Sequence, residues 1–281
     1  MTTYKNSVSL FFGGWVLRLG WLACFLSTAL HAQQPPSRSA APRIALVMGV
    51  SDYQHLPKLV NPTRDASLIA QALAAKGFSV TQSVNPSREK MLSAVSDFEQ
   101  TLATSGGIGI FYYAGHAAYL DGGDVMFPID ANVTDRQSIA TAGVHLSQLQ
   151  QGGRAPSPAH LRDNGTVTIY SASKGQMAFD GINNSPFTLA LFDALGNLPK
   201  CNVQECVGAD EDDVQRIFRI LRKQLELPRV PGQADLMQTP EMRGQLIEKI
   251  FLNESRRDHS GRVSRILFFD ASRDDSFDMK K

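Results

Sequence analysis

His116 follows an apolar and aromatic run, Ile108-Gly-Ile-Phe-Tyr-Tyr113, with only Ala114-Gly115 between. An imidazole gives up or takes a proton near neutral pH. In sheets of parallel strands, ligands sit at the carboxyl ends of the strands. A histidine at such an end is a candidate acid or base, although a lone one more often serves structure. Two cysteines, Cys201 and Cys206, form a second candidate group. Nothing places them at a strand end. A zinc site would need two further ligands at suitable spacing, and none is near, so no metal site is expected there. Their spacing favours a disulfide closing a small loop, provided the chain reaches an oxidising compartment.

The elements that must position these groups can be read from periodicity. Ile44-Ala-Leu-Val-Met-Gly-Val50 is a continuous apolar run of strand length, as in strands buried on both faces. Asn61-Pro62 reads as a helix start, and Ala66, Ile69, Ala70 and Leu73 give that helix one apolar face up to Gly77. Phe78 to Val84 alternates as a strand. A helix from about Ser87 carries Met91, Val95, Phe98 and Leu102 on one side. Further strands are expected at Ile108 to Tyr113, Val125 to Ile129, Thr166 to Ser171 and Ile266 to Phe269, with Pro128 suiting an edge. Helices are expected at Phe187 to Leu195 and Val214 to Leu225. Alternating strand and helix predicts an α/β fold with a mostly parallel central sheet.

Several separate motifs carry a family resemblance. Ala45-Leu-Val-Met-Gly-Val-Ser-Asp-Tyr53, Leu56-Pro57, Asn61-Pro-Thr-Arg-Asp-Ala66 and Leu73 to Phe78 resemble the opening of bacterial caspase-like and metacaspase-like domains. Phe111-Tyr-Tyr-Ala-Gly-His116 resembles the catalytic-histidine strand of that family, and Phe127-Pro-Ile-Asp-Ala131 resembles the segment after that strand. Gly165 to Gly175 and Asp180 to Thr188 look like its substrate-side strand and the next helix. The resemblance implies a three-layer sandwich flanked by helices and a cysteine-type endopeptidase without a cofactor. It makes His116 the general acid/base and gives the Ala117 amide a part in the oxyanion hole, where the family usually has glycine. It assigns substrate contacts to Ser171, Ser173 and Asp270, the last for a basic side chain, with turn capping as the competing role for Asp270.

The family's nucleophile strand, ending in Asp-Ala-Cys-Arg, is missing from its usual place. The interval Gln150 to Asn164 has neither a cysteine nor a strand-like run. A match stands instead at Ile266-Leu-Phe-Phe-Asp-Ala-Ser-Arg273, with Ser272 in the cysteine position; accidental similarity is the alternative. The relocated reading expects this strand to fill a slot beside the histidine strand, and expects Ser272 to supply a nucleophile and a second oxyanion amide. A serine hydroxyl supplies no thiolate, so peptidase activity is expected to be weak or lost. The other function is that of a pseudoprotease that binds a peptide or protein. The acidic run Asp210-Glu-Asp-Asp213 invites comparison with calcium-binding metacaspases, but its position before Val214 favours helix capping.

Bulk properties bound the rest. The chain has 281 residues with 43% hydrophobic and 20% charged, a globular composition. A net charge of +1 gives no electrostatic case for nucleic acid or an anionic membrane. Lys5, Arg18, the apolar Leu19 to Leu30 and the polar stretch from Gln33 read as a secretory signal over 1–32. The apolar core is short for a membrane span, so none is expected after cleavage; an uncleaved anchor with Arg18 snorkelling is the alternative. The proline-rich 33–42 reads as a linker and 43–281 as the domain, periplasmic or secreted.

Overall fold

The first strand, β1 (Arg43–Gly49), is buried along most of its length, as its unbroken apolar run requires. The computed structural model describes residues 42–120, 123–149, 165–173, 176, 178–198, 212–226, 238–246, 249–252 and 263–271. After β1 come α1 (Pro62–Ala75), β2 (Ser79–Val84), α2 (Arg88–Ser105) and β3 (Gly107–Ala114). A small antiparallel sheet comes next, from β4 (Ala117–Leu120), β5 (Gly123–Met126) and β6 (Val144–His145), with α3 (Arg136–Ala142) between the last two. The remaining elements are β7 (Thr166–Tyr170), α4 (Pro186–Gly196), α5 (Asp213–Leu225), β8 (Glu241–Gln245) and β9 (Val263–Asp270).

The main sheet has the order β2-β1-β3-β9-β7-β8. All its pairs are parallel except β7 with β8. The expected pairing of Ile266 to Phe269 beside the histidine strand is present: Ile110 to Tyr113 face Ile266 to Phe269 in register, and β7 pairs on the other side of β9. The last strand in sequence is thus an interior strand of the sheet. Its four apolar residues are all 0% exposed.

Alternation along the strands sorts side chains into two cores. Ala45, Val47, Ile110, Tyr112, Ile169, Ile266 and Phe268 pack against α1, α4 and α5. Leu46, Met48, Phe111, Tyr113, Leu267 and Phe269 pack against α2 and the small sheet. The result is the expected layered α/β sandwich.

Helix ends obey their local chemistry. Ser87 caps α2 by accepting from Lys90 N, and Asp212 caps α5 by accepting from Gln215 N, so the acidic run ends in a helix cap. One expected strand needs correction. The expectation for Val125 to Ile129 is an edge strand, but β5 stops at Met126 and lies at the centre of the small sheet, between β4 and β6. Pro128 falls beyond the paired residues, where its missing N–H costs no ladder bond. Cys201, Cys206, the signal and most of the linker lie outside the described residues.

Candidate active site

Three features place His116. The strand β3 ends at Ala114, and Gly115 turns the chain with φ +157°. A Cβ at Gly115 would press on the hydroxyls of Tyr53 and Tyr113, so only glycine fits this turn. Those hydroxyls then hold the histidine backbone. His116 N donates to Tyr53 Oη at 2.7 Å, and Tyr113 Oη donates to His116 O at 2.6 Å. Both phenols are buried, which pushes their pKa values up and keeps them neutral.

The imidazole lies 4.8 Å from the Tyr53 ring, centre to centre, and its Nε2 is 2.8 Å from Pro57 O. A carbonyl only accepts, so Nε2 carries the proton and Nδ1 keeps the free lone pair. Burial lowers the His116 pKa, opposed by the Pro57 bond and by Asp180, which favours a neutral ring at pH 7. The loop bearing Tyr53 and Pro57 is itself fixed. Asn85, with φ +49°, lies just past β2 and accepts from Ser51 N at 2.8 Å and Asp52 N at 3.2 Å. Asparagine tolerates that left-handed conformation better than most side chains.

A second cluster sits on the α1/α4 side of the sheet. Alternation puts Tyr112 of β3, Asp270 of β9 and Ser171 just beyond β7 on this face. Asp65 comes from the first turn of α1, and Ser185 and Thr188 from the start of α4. Ser185 bridges the two carboxyls: its N donates to Asp65 Oδ1 at 3.1 Å, and its Oγ donates to Asp270 Oδ2. Asn184 Nδ2 donates to Asp65 at 2.7 Å. Thr188 Oγ1 reaches Asp270 at 3.3 Å and accepts from Tyr112 Oη at 2.6 Å. Burial is the main cause that raises Asp270 to about 7 and Asp65 to about 6, and the charge of Asp65 raises Asp270 further. Asp270 thus belongs to this cluster, and among the described residues its side chain caps no turn.

Ser171 is fully buried beside Asp270, whose charged form it favours, yet its hydroxyl meets no hydrogen-bond partner among the described residues. Ser173 is engaged elsewhere, donating to Thr239 O at 3.0 Å. The loop before α4 ties the two clusters together. Val60 N donates to Asp180 Oδ2 at 3.3 Å, and Asn61 Nδ2 donates to Asp180 O and to Gly181 O at 3.1 Å.

Ala117 opens β4 opposite Met126, and its backbone does not take the positive φ that would strain an alanine; among the described non-glycine residues Asn85 alone has one. Ala114 pairs with Asp270, and Gly115 N donates to Asp270 O at 3.4 Å. Ala271, buried, is the last described residue of this segment, and Ser272 lies outside the described residues. No cluster of His, Cys, Asp and Glu suited to a metal occurs among the described residues.

Sequence reasoning missed Asp65, Tyr53 and Asn85. Asp65 carried a signal: it lies four residues before Ile69 and eight before Leu73, so a carboxylate stands on the buried stripe of α1. Tyr53 closes the Ala45 to Tyr53 motif without any sign of its role, and Asn85 lies outside any periodic pattern or motif.

The caspase domain family model matches residues 42–252, so the chain belongs to the caspase family. That match ends before β9. A crystal structure of caspase-1 from Spodoptera frugiperda is similar to 79% of this chain and 94% of its own, with a TM-score of 0.57 and 13% identity. At that identity the likeness shows the fold. A sequence search among curated proteins finds no match.

Proposed function

We propose that this chain carries an endopeptidase-type site for peptides with a basic side chain, with His116 as base and Ser272 at the nucleophile position. The observation that carries it is the β3–β9 register. Ala114 pairs with Asp270, and His116 and Ser272 each come two residues later. That register is what supports a reading in which the two residues act together.

In this reading Nδ1 of neutral His116 takes the Ser272 Oγ proton as Oγ attacks the peptide carbonyl carbon. The same proton then passes to the departing amine. The Ala117 and Ser272 amides face the developing oxyanion. Asp65, Asp270 and Ser171 receive the basic side chain, whose charge matches two buried carboxyls. The reading includes export to an oxidising compartment and a Cys201–Cys206 disulfide.

The surroundings of His116 support a low turnover. A serine needs a base and usually a group that orients it; Pro57 O orients the ring but, being uncharged, stabilises an imidazolium less than a carboxylate does. That same feature favours the second function, a peptide-binding pseudoprotease. The test compares wild type, Ser272→Cys and His116→Ala on arginyl and lysyl peptide amides. Cleavage that rises in Ser272→Cys and vanishes when His116→Ala is added supports the site. Binding without cleavage in either form supports the pseudoprotease. An arginyl chloromethyl ketone that fails to label Ser272→Cys argues against the nucleophile position itself.

A further inference from the structure

Asp65 and Asp270 are 1% and 7% exposed and share Ser185 as a hydrogen-bond donor. Two carboxylates in one dry site repel, and each is poorly solvated when charged. The groups acting most strongly on them are Asn184, Ser185, Thr188, Ser171 and Asp180. Four of these are neutral, and Asp180 adds negative charge. Of the packed elements, β3 contributes Tyr112, a neutral phenol that both carboxyls push further toward its protonated form. His116 and the cluster share the charge of Asp180 as an influence. Among the described residues, no base is among the groups acting most strongly on either carboxyl. The buried Ser171 hydroxyl beside Asp270 favours its charged form, yet makes no hydrogen bond of normal geometry among the described residues.

We propose that the pocket, when unliganded, holds a proton on its carboxyl pair at neutral pH, and that a guanidinium or ammonium group enters in exchange for that proton. This rests on the reading of the pocket as the seat of a basic side chain. The exchange balances: the O–H bond on the carboxyl breaks, the proton leaves to buffer, and the cation's N–H groups take over the freed oxygens and Ser171 Oγ. The raised Asp270, at about 7, sets the window. Below it the cation must displace a proton; above it the site is already open. Affinity therefore rises with pH, about tenfold between pH 6 and pH 8, and then levels off.

The test is calorimetry of the full chain with Nα-acetyl-arginine amide at pH 6.5, in PIPES and in ACES, which differ in ionisation enthalpy. The uncharged citrulline analogue is the control. The expected result is a buffer-dependent heat corresponding to roughly one proton released, a Kd about tenfold lower at pH 8 than at pH 6, and a flattened pH dependence in Asp270→Asn. Equal heats in both buffers with a pH-independent Kd overturn the exchange and leave the cation pocket standing. No binding, or equal binding of the citrulline analogue, overturns the pocket reading and the exchange with it. The wild-type buffer comparison decides the matter even if Asp270→Asn does not fold.

Discussion

Ending the chain at Leu252 keeps every residue matched by the family model and removes β9. Such a protein should not fold. The strand contributes Ile266, Leu267, Phe268 and Phe269, all 0% exposed, to both cores at once. Truncating one fully buried aliphatic or aromatic side chain costs about 2–5 kcal/mol. Four together approach or exceed roughly 10 kcal/mol, against a total stability of about 5–15 kcal/mol for a domain. Deletion also strips the ladder bonds from β3 on one side and β7 on the other, leaving buried N–H and C=O groups without partners. Phe268→Ala is the graded version, with an expected loss of about 3–5 kcal/mol. Thermal melts by circular dichroism, with limited proteolysis, read both. A protein ending at Leu252 that melts cooperatively within a few degrees of the full chain would refute the reasoning. A Phe268→Ala loss under about 1 kcal/mol would do the same.

Two other perturbations test the electrostatics. Arg265 of β9 meets Glu99 of α2 with Nη2 2.7 Å from Oε2, and the two side chains are 11% and 3% exposed. Glu99→Gln should cost about 3 kcal/mol by stranding a buried guanidinium, whereas Glu99→Leu with Arg265→Met should recover most of it; urea unfolding checks both, and an equal loss in single and double variants counts against the pair. For pH, Asp270 is raised in the folded chain to about 7, so between about pH 4 and 7 the folded state holds a proton that the unfolded state has lost, and its stabilising contribution falls as pH rises. Asp270→Asn should therefore gain stability relative to wild type across that range, on the order of 1–3 kcal/mol; a relative loss would show that the carboxylate is better paired than its burial implies.

The sequence showed most where side chains repeat. The apolar runs of β1, β3 and β9 and the stripe of α1 fixed four elements, and the Asp-Ala-Ser-Arg turn pointed to an interior place for β9. The Glu241-Met-Arg-Gly-Gln245 strand was illegible. It is polar, lies at the sheet edge and exists because β7 offers it a partner; Gly244, at φ +91°, approaches the Thr166 carbonyl too closely for a side chain. The strands β4 and β6 span only four and two residues, too short for a period to register. The Asp65–Asp270 cluster was half visible. Asp270 stood in a motif, but its partner comes from a helix far away in sequence, and only the sheet order brings them together.

The place of β9 has a consequence for synthesis. Residues up to Tyr170 leave the ribosome able to form β1, β2, β3 and β7, yet β3 and β7 have no common neighbour until Val263 to Asp270 emerge. At about 5–20 residues per second, that interval lasts roughly 5–20 s. During it the nascent chain presents two apolar strand edges with unpaired backbone, the kind of surface that recruits holding chaperones or aggregates. Both cores then close in one late step, so acquisition of protease resistance by stalled nascent chains should jump at a single length rather than build up gradually.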